Sequence, residues 1–174
     1  MTDHVPQFTP QFTWGHININ VSNLERSIAF YEKLGFESYR PGIPYLALTD
    51  GPGVTELPES CARALGIPAA ASARACIMQL GRGFPKLDLI EYAGQTQEIS
   101  PSNTDLGLVR LCLATTGLQD DYVRLCAQDV PFISEPQLCQ DGMAHIAICM
   151  DPDGTLIELI QPHPEKWPSP PSKE

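Results

Sequence analysis

Polar and apolar residues alternate along His16-Ile17-Asn18-Ile19-Asn20-Val21, a period of two that predicts a strand with one face on a core. The period then lengthens: Leu24, Ile28 and Tyr31 recur at helical spacing behind Ser22. Ser22 and Glu25, three residues apart, have the spacing of a capping box, and Gly35 supplies the helix stop. Further on, Ala75-Cys76-Ile77-Met78-Gln79-Leu80 predicts a strand, Gly81 to Pro85 a turn, and Leu87-Asp88-Leu89-Ile90-Glu91 the return strand.

The whole plan recurs ninety-four residues after it starts. Arg110-Leu111-Cys112-Leu113-Ala114 alternates again, Thr116 and Gln119 repeat the capping-box spacing, and Leu118, Tyr122 and Leu125 repeat the apolar stripe. Ala144 to Cys149, the turn Asp151-Pro152-Asp153-Gly154 and Leu156 to Ile160 close the second copy. The first copy is longer by an insertion near 49–74, in which Pro58 to Leu65 reads as a short helix stopped by Gly66. Each copy is about βαβββ, and one copy is too small to cover both faces of its sheet. The economical solution is an α+β fold in which two paired βαβββ modules form a cupped mixed sheet with the helices outside. The expected boundaries are an arm over 1–12, one domain over 13–163 (modules at about 14–94 and 107–163), and a Pro-rich tail over 164–174.

Alternation also assigns faces. With Ile17, Ile19 and Val21 under the helix, His16, Asn18 and Asn20 point into the cup. With Leu111 and Leu113 packed outward, Arg110, Cys112 and Ala114 lie inside. Glu91 and Glu158 interrupt apolar closing strands, where a carboxylate needs a cation or a hydrogen-bond partner. His16, Glu91, Arg110 and Glu158 are thus expected to converge in one concave site.

Composition narrows the function classes. The 174 residues carry 11 Lys and Arg against 21 Asp and Glu, a net charge of -10, which argues against nucleic-acid or anionic-membrane binding. No apolar run is long enough to span a bilayer, and the first twenty residues have no signal-peptide pattern, so a cytoplasmic location is expected. Six cysteines without CxxC spacing read as buried thiols rather than a disulfide framework.

The segments WGHININVSNLERSIAFYEKLGF, LDLIEY and DPDGTLIEL, with the internal repeat, resemble the vicinal oxygen chelate superfamily (glyoxalase, bleomycin resistance and extradiol dioxygenase proteins) over about residues 12–163. The resemblance implies a small-molecule substrate and a homodimer. It also implies a divalent metal (Fe, Mn, Co, Ni or Zn) held at the starts of the two opening strands and the ends of the two closing strands. Carried onto this chain, those positions are His16, Glu91, Arg110 and Glu158. Arg110 departs from the pattern, since a guanidinium stays protonated and has no lone pair for a metal.

Two readings stay open at this point. In one, His16, Glu91 and Glu158 bind the metal, Arg110 clamps substrate, and Glu158 or Glu91 shuttles a proton in a lyase or epimerase/isomerase that stabilises an enediolate or enolate. In the other, Arg110 replaces the metal, giving a metal-independent or drug-sequestering binding protein. An extradiol-type dioxygenase ranks lower, because only one of these positions is a histidine. His145 is expected to be a hydrogen-bonded core histidine and His4 and His163 to be solvated. Cys112 has no base beside it and is not proposed as a nucleophile.

Overall fold

The computed structural model describes residues 12–94 and 102–168. The arm through residue 11 (with His4) and the tail from 169 onward lie outside the described residues. Module one comprises β1 (His16–Asn20), α1 (Leu24–Lys33), β2 (Glu37–Arg40), β3 (Gly42–Ile43), β4 (Leu48–Thr49), β5 (Thr55–Glu56), α2 (Glu59–Leu65), β6 (Ser72–Gln79) and β7 (Lys86–Tyr92). Module two comprises β8 (Arg110–Ala114), α3 (Leu118–Cys126), β9 (Gln137–Leu138), β10 (Ala144–Met150) and β11 (Leu156–Pro162).

The sheets have matching orders, β1-β7-β6-β2 and β8-β11-β10-β9, with β5 added on β6. In both, the opening strand runs parallel to the closing one: Asn18 pairs with Asp88 on β7, and Cys112 with Glu158 on β11. The expected α+β architecture of two βαβββ modules is therefore present. The insertion holds β5 and α2, the latter capped by Gly66 at φ 68°, and the β3–β4 hairpin precedes it.

One core joins the modules. Ile19, Leu24, Tyr31, Leu87 and Leu89 from the first pack with Leu118, Leu125, Cys149, Ile157 and Leu159 from the second. Each fully buried large apolar side chain contributes about 1.5–3 kcal/mol relative to exposure. A second cluster (Ile43, Leu46, Leu48, Leu57, Ile77, Ile90) anchors the β3–β4 hairpin and the insertion to the other face of the first sheet.

The Asp151-to-Gly154 turn does more than reverse the chain. Asp151, buried, accepts from the Tyr31 hydroxyl at 3.1 Å and from the backbone of Asp153 and Thr155. Asp153 accepts from the Ser22 amide and hydroxyl and from Arg26. That use of Ser22 corrects the expected capping box. The cap of α1 is Asn23, whose side chain accepts from the Arg26 amide, while Ser22 is spent on the other module. The second box fails as well: Gly117 precedes α3 without a side-chain cap, and the Thr115 hydroxyl bonds Asp121 and the Gly117 amide instead of Thr116 capping the helix.

Candidate functional site

The alternation of β1 puts Ile19 in the core and leaves His16, Asn18 and Asn20 exposed on the concave face, as the pattern predicts. They line a cavity of about 530 Å³ with Asp88, Ile90 and Tyr92 of β7. Its remaining wall comes largely from the β3–β4 hairpin, through Tyr45 and Leu46, and from the insertion, through Leu65 and Ile67. Asn18 and Asn20 also line an adjoining cavity of about 260 Å³ with Arg110 and Leu111 of β8. The two hollows thus meet across β1.

In the first hollow Asp88 is 2% exposed. Its Oδ2 accepts from the Tyr45 hydroxyl at 2.9 Å and lies 3.7 Å from Nδ1 of His16. The His16 and Tyr45 rings stack with centroids 6.3 Å apart. Burial, with the hydrogen bond to Asp88 adding to it, pushes the Tyr45 phenol up to about 12, so it is a proton donor at neutral pH.

Arg110, on the wall of the second hollow, donates through Nε to Glu158 Oε2 at 2.5 Å and through Nη1 to Asn103 Oδ1 at 3.2 Å. The glutamate side chain is 11% exposed, whereas the arginine side chain is 39% exposed. Cys112 lies opposite Glu158 in the register. Partial desolvation and the Glu158 carboxylate raise its thiol, against the opposing pull of Arg110, which is the reverse of what a thiolate nucleophile requires.

Glu91 is not in the cup, which corrects the sequence expectation. Leu87 and Leu89 are core residues of β7, and Glu91 shares their face because side chains two apart point the same way. Its Oε2 accepts from the Leu24 amide at 2.6 Å and from Arg74, which also pairs with Glu25. The cup-facing carboxylate is Asp88, which the sequence reading passed over. The same alternation that placed Asn18 could have found it.

The metal set His16, Glu91 and Glu158 is therefore not assembled. The donors that do face the cup, His16, Asp88 and Glu158, do not fit a divalent ion as they stand. Glu158 is held by a guanidinium, Asp88 by a phenol, and no group of three His, Cys, Asp or Glu side chains able to hold a metal occurs among the described residues.

Other candidates resolve simply. His145 Nδ1 lies 3.1 Å from His163 Nε2, so the first is hydrogen-bonded as expected, while the second is partnered rather than solvated. All six cysteines are free, but only Cys76 and Cys149 are buried, fewer than expected. Trp167 docks, its Nε1 donating to Met143 O at 3.0 Å. No helix among the described residues is long and apolar enough to cross a membrane.

The sequence profile of the Glyoxalase/Bleomycin resistance protein/Dioxygenase superfamily matches residues 13–159. Over 170 residues the chain is 29% identical to a lactoylglutathione lyase of Pseudomonas putida, covering 90% of this chain and 88% of that protein. Among solved structures, a glyoxalase family protein from Bacillus cereus superposes with a TM-score of 0.70 at 15% identity, over 91% of this chain and 99% of the other. Glyoxalase I of Leishmania major superposes with a TM-score of 0.55 at 21% identity, over 87% of each chain. These structural likenesses show the fold.

Proposed function

Because the chain belongs to the Glyoxalase/Bleomycin resistance protein/Dioxygenase superfamily, we propose that it is a small-molecule lyase or isomerase acting within its cup. The reaction is a proton shift between adjacent oxygen-bearing carbons. One observation carries this reading: a largely buried carboxylate, Glu158, lies against the guanidinium of Arg110, which lines a hollow adjoining a larger, mostly apolar cavity. The substrate body rests on Leu65, Ile67 and Tyr92, with its oxygens toward β1 and β8. Glu158 removes the proton from one carbon and returns it to the next. Arg110 offsets the negative charge that develops on oxygen meanwhile; one such preorganised donor is worth about 3–4 kcal/mol of barrier. Tyr45 and His16 are placed to bond the substrate's second oxygen. No step needs an oxidant or a reductant.

The P. putida relative is named for lactoylglutathione, a thioester of a hydroxy acid. Glutathione adducts of 2-oxoaldehydes, whose isomerisation gives such thioesters, are therefore the first substrates to assay. We place the protein in the cytoplasm as a homodimer on the strength of the resemblance. The test is thioester formation followed by ultraviolet absorbance. Glu158→Gln is expected to lower kcat by at least about 100-fold with an unchanged melting temperature, and undiminished turnover in that variant overturns the reading. The Arg110–Glu158 ion pair also suits a ligand-sequestering protein, which binds aromatic or acidic compounds in the same cup without converting any of them.

A further inference from the structure

We propose that the Arg110 guanidinium stands in the place of a divalent cation, so that the cup holds no resident metal and instead presents a fixed positive charge to an anionic oxygen of the ligand. The inference rests on the proposed reading only for the location of the site, not for the reaction performed there.

Register puts Arg110 there. His16 and Arg110 open the equivalent strands β1 and β8, and each lies two register positions from a cup-facing carboxylate on the parallel closing strand: Asn18 faces Asp88 and Cys112 faces Glu158. Where an imidazole on β8 could offer a lone pair, the guanidinium offers only N–H donors. It is also held on two sides, by Glu158 at 2.5 Å and Asn103 at 3.2 Å, so it does not swing clear of the carboxylate.

The cup carboxylates are partnered without an ion. The two carboxylates, Asp88 and Glu158, already have protein partners: the Tyr45 hydroxyl and His16 ring for the first, Arg110 for the second. A divalent ion binding both would have to strip Glu158 from the guanidinium and then sit beside a like charge. Arginine gains something in exchange. Among the described residues its Nη2 has no hydrogen-bond partner, which leaves a donor for a carboxylate or a developing enolate oxygen.

The experiment is metal analysis by plasma mass spectrometry on untagged wild-type protein and Arg110→His. Both are stripped with chelator, reloaded in turn with Fe²⁺, Mn²⁺, Co²⁺, Ni²⁺ and Zn²⁺, and desalted, with melting temperatures recorded alongside. The wild type is expected to retain no stoichiometric metal and to melt at the same temperature with ion or chelator. Arg110→His, with two imidazoles and two carboxylates facing the cup, is expected to retain about one equivalent and to gain several degrees on loading. About one equivalent in the wild type, or a chelator-induced drop in its melting temperature, overturns the proposal. So does a folded Arg110→His that binds no metal. Should that variant melt too low to handle, Arg110→Ala supplied with free imidazole serves the same comparison. Turnover is scored separately, so an inactive but metal-free wild type counts against the lyase reading and leaves this one standing.

Discussion

Three residues apart on β7, Asp88 and Glu91 face opposite sides of the same sheet, and their substitutions should separate accordingly. Glu91→Ala removes an acceptor for the Leu24 amide and strands Arg74, which is 8% exposed, with only Glu25 as a partner. Losing one member of a largely buried pair costs roughly 3 kcal/mol. A clear fall in melting temperature is expected, while the affinity for cup ligands stays the same in the folded protein. Asp88→Asn should do the reverse, altering ligand binding through His16 and Tyr45 with a smaller stability change, as calorimetry and a ligand titration on both variants would show. At this scale the sequence was partly legible. His16, Arg110 and Glu158 lie on the concave face as alternation implies, but Glu91 was placed there as a carboxylate in an apolar run, although its parity matches Leu87 and Leu89. Tyr45 was beyond reach, because its place above Asp88 depends on how the β3–β4 hairpin folds back over β7.

The elements were largely readable because alternation, apolar stripes and glycine stops repeat in both modules. The caps misled because short polar side chains near a helix start have several possible acceptors, and tertiary partners claimed them: Asp153 for Ser22, Asp121 for the Thr115 hydroxyl. That second bond has a pH signature. The Thr115 hydroxyl, with help from Arg124, holds the Asp121 carboxyl below its ordinary value. Its stabilisation is fully present above the unfolded pKa of about 3.9 and fades as pH falls through the lower folded value. Asp121→Asn should therefore flatten the acid limb of a melting-temperature profile between neutral pH and about pH 3. At the other end, burial chiefly, with the nearby Asp151 carboxylate, holds the Tyr31 phenol well above the tyrosine range. The neutral phenol belongs to the fold, so stability is complete below the unfolded pKa of about 10 and declines above it. Tyr31→Phe should lower stability at neutral pH by about 1–2 kcal/mol, for the lost bond to buried Asp151. It should also lose less than the wild type on going to alkaline pH.

For the whole molecule, the repeat predicts a cup made of two modules but is silent on how firmly they are joined, since no single strand or helix carries that information. The joint is a shared core reinforced by side-chain clasps. Leu24 and Tyr31 pack among Leu118, Leu125 and Ile157. Lys33 Nζ donates to Gln128 O at 2.7 Å, and Arg124 Nη1 donates to Lys33 O at 2.9 Å. The 151–154 turn grips the start of α1 through Asp153 and the last turn of α1 through Asp151. A module cut free would expose much of this apolar surface and leave Asp151 without the Tyr31 hydroxyl. Unfolding should therefore be one cooperative event: the circular dichroism and tryptophan-fluorescence transitions in urea should coincide at a single midpoint. A fragment spanning 12–94 should lack a cooperative melt on its own and regain one only when mixed with a fragment spanning 102–168. Two separate transitions in the full chain, or a cooperatively folded 12–94 fragment, would show that the modules are independent. The cup would then be a hinge between two bodies rather than a fixed surface. That distinction bears directly on the site, because Arg110 and Glu158 come from one module, His16 and Asp88 from the other, and only a rigid joint keeps the two hollows aligned across β1.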